Sequence, residues 1–322
     1  MSTLLPLRFA PVLREYIWGG RRLAELGKPL GDGDHYAESW EIVDHGDDQS
    51  IVVDGPLAGV KLHDLVLRHG AALFGRHHPQ RQFPLLFKFL DCQRTLSVQV
   101  HPNDEQAAKL DPPDLGKTEA WVVLAAEPNS RIYAGLKPGI DRATLEQKLA
   151  SGDVEACLHQ FEPKVGDCIY IEAGTVHALG AGLLVAEIQQ ASDTTYRLFD
   201  WNRIDRDGKP RPLHIAEALD TIDYSRGPVK PRPPRPTEQP NVERLVSCDK
   251  FVLARWRIAD TRRLAIENRF HIVTAIEGNA ALKSESGTFN LRRGDTVLVP
   301  ACCREIELAP QASAVLLDMY LP

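Results

Sequence analysis

Six of the fourteen residues from Gly227 to Pro240 are proline. Proline has a fixed φ and no backbone N–H, so this stretch can form neither a helix nor a central strand. It is expected to run extended over the surface as a stiff connector. The chain has 322 residues, enough for two domains. The expected organisation is a unit over residues 1–226, the connector 227–240 and a second unit over 241–322.

Both flanking parts read as β structure. From Phe83 to Arg203 short apolar runs alternate with Gly, Pro and Asp turns, an all-β pattern. Ser39 to Val43 predicts an earlier strand. Lys61 to Phe74 predicts a helix, because Leu62, Leu65, Val66 and Leu73 recur at helical spacing and Gly75 follows as a stop. Shorter helices are expected over 142–151, ended by Gly152, and over 213–221. Residues 241–322 are again strand-like, with turns at Glu277-Gly278-Asn279 and Arg293-Gly294-Asp295. The expected fold class is mainly β with a few short helices. A weak echo links the two parts. Gly166-Asp167 and Gly294-Asp295 each open an alternating apolar run, and His177 in the first then falls opposite Glu305 in the second. Two related barrels, of which the first keeps a metal site and the second is metal-free, would produce that echo.

Composition narrows the function. Apolar residues make up 43% and charged residues 25%, as in an ordinary globular protein. A net charge of −6 disfavours nucleic acid or a membrane surface as partner. The N-terminal stretch lacks a basic start followed by a long apolar core, so it does not read as a signal peptide. No run approaches the roughly 18 apolar residues of a membrane helix. The six cysteines form no CxxC pair and read as reduced thiols of a cytoplasmic protein.

Residues 95–101, Thr-Leu-Ser-Val-Gln-Val-His, alternate like a strand. Leu96, Val98 and Val100 share one face, while Thr95, Ser97, Gln99 and His101 share the other. Gln99 and His101 thus lie side by side on a rigid support. Glu119 lies in a second strand-like run, with Lys117 and Trp121 on its face. His177 follows the turn Ala173-Gly174-Thr175. Two imidazoles, a carboxylate and an amide oxygen suit Zn²⁺ with a position left open for substrate. Spacing alone does not prove the set, since a lone histidine on a strand is usually no ligand. Trp18 and Trp121 fit a ligand pocket or a core equally well. Gly19-Gly20 before Arg21-Arg22 fits an anion site, but a turn explains it better.

The segment Gly166–His177 resembles the second motif of cupin barrels, with Glu172 where that motif has proline. Four further segments fall in matching order: 97–104 (SVQVHPND), 116–119 (GKTE), 174–180 (GTVHALG) and 192–197 (SDTTYR). Together they resemble type I mannose-6-phosphate isomerases, and the N-terminal run Tyr16-Ile17-Trp18-Gly19-Gly20 also fits. The resemblance covers about residues 8–225 well and the C-terminal part more loosely. It implies two cupin-like, jelly-roll β-barrels. It implies one zinc ion per chain on Gln99, His101, Glu119 and His177, with Arg197 catalytic. Long members carry a helical insertion between the glutamate and the second histidine. The interval from Glu119 to His177 is too short for it, which implies the compact bacterial form.

The implied reaction interconverts mannose 6-phosphate and fructose 6-phosphate through an enediolate, so the partner is a small sugar phosphate. A proton must pass between adjacent carbons. Lys117 and Asp193 are both candidates to carry it, and Arg197 could hold an enediolate oxygen or the phosphate. Two histidines and one carboxylate also suit an Fe(II) dioxygenase. A sugar-phosphate-binding regulator without turnover is the non-catalytic rival.

Overall fold

A computed structural model of the chain describes residues 4–205, 208–285 and 287–322. Residues 1–3, part of the N-terminal stretch considered above, lie outside it.

The first β region is built from two antiparallel sheets. The six-stranded sheet runs Cys168–Ile171, Glu119–Ala126, Leu183–Gln190, Leu85–Cys92, Tyr36–Ile42, Val12–Gly20. The five-stranded sheet runs Leu158–Phe161, Ile132–Leu136, His177–Leu179, Val98–Val100, Tyr196–Phe199. Their facing sides share one core, in which Ile132, Ala134 and Leu179 of the smaller sheet join Leu90, Trp121, Val123 and Val185 of the larger. The far side of the smaller sheet is covered by the helices Arg142–Ala150 and Ile215–Thr221, through Leu145, Ala218 and Leu219.

The far side of the six-stranded sheet is covered as well. Phe87, Phe89, Leu184 and Ile188 pack with the helix Leu62–Phe74 and with Leu253, Ile272, Leu317 and Met319 of the C-terminal strands. Its two central strands are therefore buried on both faces along their whole length. That is why they read as near-continuous apolar runs rather than alternating ones. The helices match the expected positions to within one or two residues. A fourth, Asp104–Ala107, was not expected; Asn103 starts it with a capping box to Gln106.

The C-terminal β region is one eight-stranded sheet curled around its own core of Trp256, Val273, Ala275, Val297 and Leu316. Its long strands His271–Ser284 and Ile306–Tyr320 change register between Ala275/Glu277 and Gly278/Ala280. Such bulges bend a strand enough to wrap it.

The two Gly-Asp turns repeat bond for bond. Lys164 N–H donates to Asp167 Oδ2 and Arg292 N–H to Asp295 Oδ2, both at 2.8 Å. Gly166 N–H donates to Val123 O at 2.8 Å and Gly294 N–H to Ala275 O at 2.7 Å. Both glycines have positive φ, 88° and 91°, which favours glycine. Each turn is also held by a cation from the other region: Arg255 Nη1 on Gly166 O at 2.8 Å, Lys28 Nζ on Gly294 O at 2.7 Å. The echo fades downstream. Glu305 is exposed in a positive-φ position and pairs with Arg263 at 2.7 Å.

The connector is extended, as its prolines require, but it is not a free tether. Val229 N–H donates to Ala134 O and Arg232 N–H to Cys168 O in the first region. Arg235–Pro236 then pairs with Arg244 and Glu243 as the outermost strand of the C-terminal sheet. All six cysteines are free. No helix among the described residues is long and apolar enough to cross a membrane.

Candidate metal centre and active site

Strand register puts three side chains in one row. His177 lies opposite Gln99, and Gln99 opposite Arg197, across three neighbouring strands of the five-stranded sheet. Directly opposed residues share a face, so the row looks into the space between the sheets. Glu119 opens a strand of the facing sheet, and His101 follows Val98–Val100 by one residue.

The donor atoms of His101, Glu119 and His177 all lie within 4.8 Å of one another. His177 Nε2 is 3.2 Å from Glu119 Oε1, and His101 Nε2 is 3.6 Å from Glu119 Oε2. Each imidazole is turned by its other nitrogen. His177 Nδ1 meets Thr175 O at 2.8 Å and His101 Nδ1 meets Thr194 O at 3.0 Å. A carbonyl on Nδ1 fixes the proton there and leaves the Nε2 lone pair aimed at the centre, as for metal-bound histidine.

The electrostatics agree. Burial, with Lys117 close by, pushes His101 well below its ordinary pKa, which favours the uncharged ring. Burial alone would raise Glu119, but Lys117, His101 and His177 outweigh it and hold the carboxyl below its usual value. His101 Nε2 and Glu119 Oε2 are buried with no hydrogen-bond partner. Buried polar atoms are rarely left so. Two imidazoles with Nε2 turned inward and a carboxylate with an unpartnered oxygen fit a divalent cation. Gln99 Nε2 is 3.3 Å from His177 Nε2. The two ends of an amide are assigned from their surroundings, and rotation would offer the cation the oxygen instead.

A cavity of about 250 Å³ opens beside this centre, lined in part by Gln99, Lys117, Asp193 and Arg197. Lys117 is buried, with Nζ 3.5 Å from Glu119 Oε2. Asp193 is exposed on the rim. Arg197 gives Nη1 to Pro212 O at 2.8 Å, while its Nε is buried without a partner. Trp18 and Trp121 are both buried and both line the cavity, so they serve core and pocket together. Gly19 and Gly20 serve packing. A Cβ on Gly19 would meet Ala37 N at 2.5 Å, and the Arg22 N–H is taken by Asp91 Oδ2 at 2.7 Å.

One group was missed from sequence. Lys88 Nζ lies 3.3 Å from both Glu38 Oε2 and Glu187 Oε1, all buried, and all three residues line the cavity. Trp121 Nε1 donates to Glu187 Oε2 at 2.9 Å and Trp40 Nε1 to Glu38. Burial works against the Lys88 charge, but Glu187 and Glu38 outweigh it and raise its pKa. Burial, reinforced by Glu119, pushes Glu187 up to about 7. The signal was available: a charged residue inside each of three strands otherwise rich in buried apolar side chains, YAESWEI, LLFKFLDC and LLVAEIQQ.

Comparison with known proteins agrees with this geometry. Residues 6–130 match the family described as phosphomannose isomerase type I, catalytic domain, and residues 241–317 match the mannose-6-phosphate isomerase cupin domain. The chain is 35% identical over 322 residues to mannose-6-phosphate isomerase ManA of Bacillus subtilis, covering 97% of this chain and 98% of that one. It is 34% identical to the mannose-6-phosphate isomerase of Streptococcus mutans, covering 92% of each. A crystal structure of the Bacillus subtilis mannose 6-phosphate isomerase superposes with a TM-score of 0.91 at 31% identity, over 99% of this chain and 100% of that one. The apo phosphomannose isomerase of Salmonella typhimurium, 16% identical with a TM-score of 0.75, shares the fold. With its cupin domain and its buried His101/Glu119/His177 cluster, the chain belongs to the type I mannose-6-phosphate isomerase family.

Proposed function

We propose that this chain is a zinc-dependent aldose–ketose isomerase that interconverts mannose 6-phosphate and fructose 6-phosphate. In this reading residues 1–226 are the catalytic domain, 227–240 the connector and 241–322 a second barrel. The observation that carries it is the His101/Glu119/His177 cluster, with both imidazoles turned inward, beside a cavity holding buried Lys117 and Lys88. Gln99, His101, Glu119 and His177 would hold the ion. Zn²⁺ bound there supplies redox-inert Lewis acidity toward sugar oxygens.

The remaining chemistry belongs to side chains of the chain. Lys117, enclosed in the cavity, is placed to carry a proton between the two adjacent sugar carbons. Asp193, exposed on the rim, is the second candidate. Such acid–base help is typically worth ~10²–10⁴-fold. Arg197 shares a row with Gln99 and His177, so its guanidinium is placed to hold an enediolate oxygen or the phosphate. Lys88, tied to two carboxylates that offset its charge, is a fixed donor in the wall. Trp18 and Trp121 keep water from one side of the cavity, which strengthens these interactions.

The test is to supply mannose 6-phosphate to metal-analysed protein and follow fructose 6-phosphate. Product formation should stop on chelation and return with Zn²⁺. No product from folded, zinc-loaded protein would overturn the reading.

A further inference from the structure

The C-terminal sheet holds a cavity of its own, about 510 Å³ and far from the metal cluster in sequence, lined in part by Trp256, Arg269, His271, Asp318 and Tyr320. This is an ordinary size for a small-molecule site. Register builds its wall. Ala254 pairs with Asp318, and Asp318 with Val273. Trp256, Tyr320 and His271 each lie two residues along from one of these and so share the inner face.

Two ring nitrogens of that wall have no partner among the described residues. His271 is 1% exposed and its Nδ1 meets Asp318 Oδ1 at 2.8 Å, but its Nε2 is buried and unpaired. Trp256 is 4% exposed and its Nε1 is likewise buried and unpaired. An indole N–H can only donate. With Nδ1–H on the Asp318 carboxylate, Nε2 of an uncharged His271 ring can only accept, and Nε2 of a charged ring can only donate. A hydroxyl both donates and accepts, so a ligand with neighbouring hydroxyls satisfies both atoms. A sulfate or carboxylate accepts from Trp256 but has nothing to donate to a lone pair on Nε2, so it suits one state of the ring where a hydroxyl suits both. A metal ion would suit Nε2 alone, and among the described residues no third His, Cys, Asp or Glu joins His271 and Asp318 as a cluster.

The rest of the wall suits the same ligand. The Arg269 guanidinium lies 3.8 Å over the Tyr320 ring and is tied to Glu267 at 2.9 Å, and its Nε is a further unpaired donor. Glu267 faces Arg269, Asp318 faces His271, and Glu238 and Arg244 also line the cavity, so charges of both signs are present and the wall does not demand a ligand of one sign. We propose that this cavity binds a neutral polyhydroxylated molecule of monosaccharide size, a sugar or sugar alcohol, through hydroxyls that meet Trp256 Nε1 and His271 Nε2. The site is separate from the isomerase cavity and does not depend on the reaction assigned to it.

The test is hydrogen–deuterium exchange on the full, metal-loaded chain, with mannose, sorbitol or sodium sulfate titrated into the millimolar range. Mannose tests the ring form and sorbitol the open chain. At least one of them should protect residues 252–258 and 316–320, and sulfate should not. Trp256→Phe should weaken that protection roughly three- to tenfold, the share of one hydrogen bond, with isomerase activity unchanged. His271→Leu should abolish it. That variant strands Asp318, so Trp256→Phe is the variant that decides if His271→Leu fails to fold. Protection by sulfate alone, protection confined to the first region, or undiminished binding by Trp256→Phe would each overturn the proposal.

Discussion

The two β regions contain the same Gly-Asp turn, held by the same hydrogen bonds, yet they use their histidines differently. In the first, His101 and His177 give Nδ1 to backbone carbonyls and turn Nε2 toward a shared carboxylate. In the second, His271 gives Nδ1 to a carboxylate, and among the described residues no second histidine joins it in a cluster. A carbonyl on Nδ1 leaves Glu119 free to serve as a ligand; the carboxylate on Nδ1 of His271 is already committed. The difference teaches that the turn is scaffold. What makes a metal centre is how many donors the strands on either side deliver to one point.

The sharpest way to break this contrast is to remove a donor. His101→Ala should lose both metal and isomerase activity, and a folded variant with full metal content would contradict the ligand assignment. Next come the groups assigned to chemistry. Lys117→Ala should keep the metal while kcat falls ~10²–10⁴-fold, and Arg197→Ala should keep it while kcat falls ~10²–10³-fold, as for loss of one oxyanion contact; unchanged kcat in either removes that residue from the mechanism. Lys88→Met acts on stability as well, because it strands Glu38 and Glu187 in the interior. Breaking a buried pair typically costs about 3–5 kcal/mol, to be read from denaturant melts. Glu305→Ala should do least. Its ion pair with Arg263 is exposed, and such pairs contribute ~0–1 kcal/mol. Metal content should not change, and a loss of metal would mean that the second region acts on the first centre.

Most of the centre was legible because its signals are local. Gln99 lies on the strand Val98–Val100 and His101 one residue past its end, and Glu119 and His177 lie in short runs that resemble known motifs. The Lys88 group was harder. Its three charges come from strands spread over Tyr36–Ile42, Leu85–Cys92 and Leu183–Gln190, and only register brings them together. The doubly buried sheet was hidden for a related reason. Nothing in LLFKFLDC says that its second face meets Leu317 and Met319, more than two hundred residues later. His271 and Asp318 are 47 residues apart, so no spacing rule joins them. The connector's extended path followed from proline chemistry, but its attachments to Ala134 and Cys168 depend on tertiary contacts.

Those prolines have one more effect. A sheet that ends in an ordinary strand offers a row of free N–H and C=O groups to any passing chain, the usual start of edge-to-edge aggregation. Here the outermost strand is Arg235–Pro236, and Pro233, Pro234 and Pro236 lie at or just before it. None of the three can donate a hydrogen bond to an incoming strand. The segment that joins the two regions also closes this sheet edge, so a crowded solution finds little there to extend.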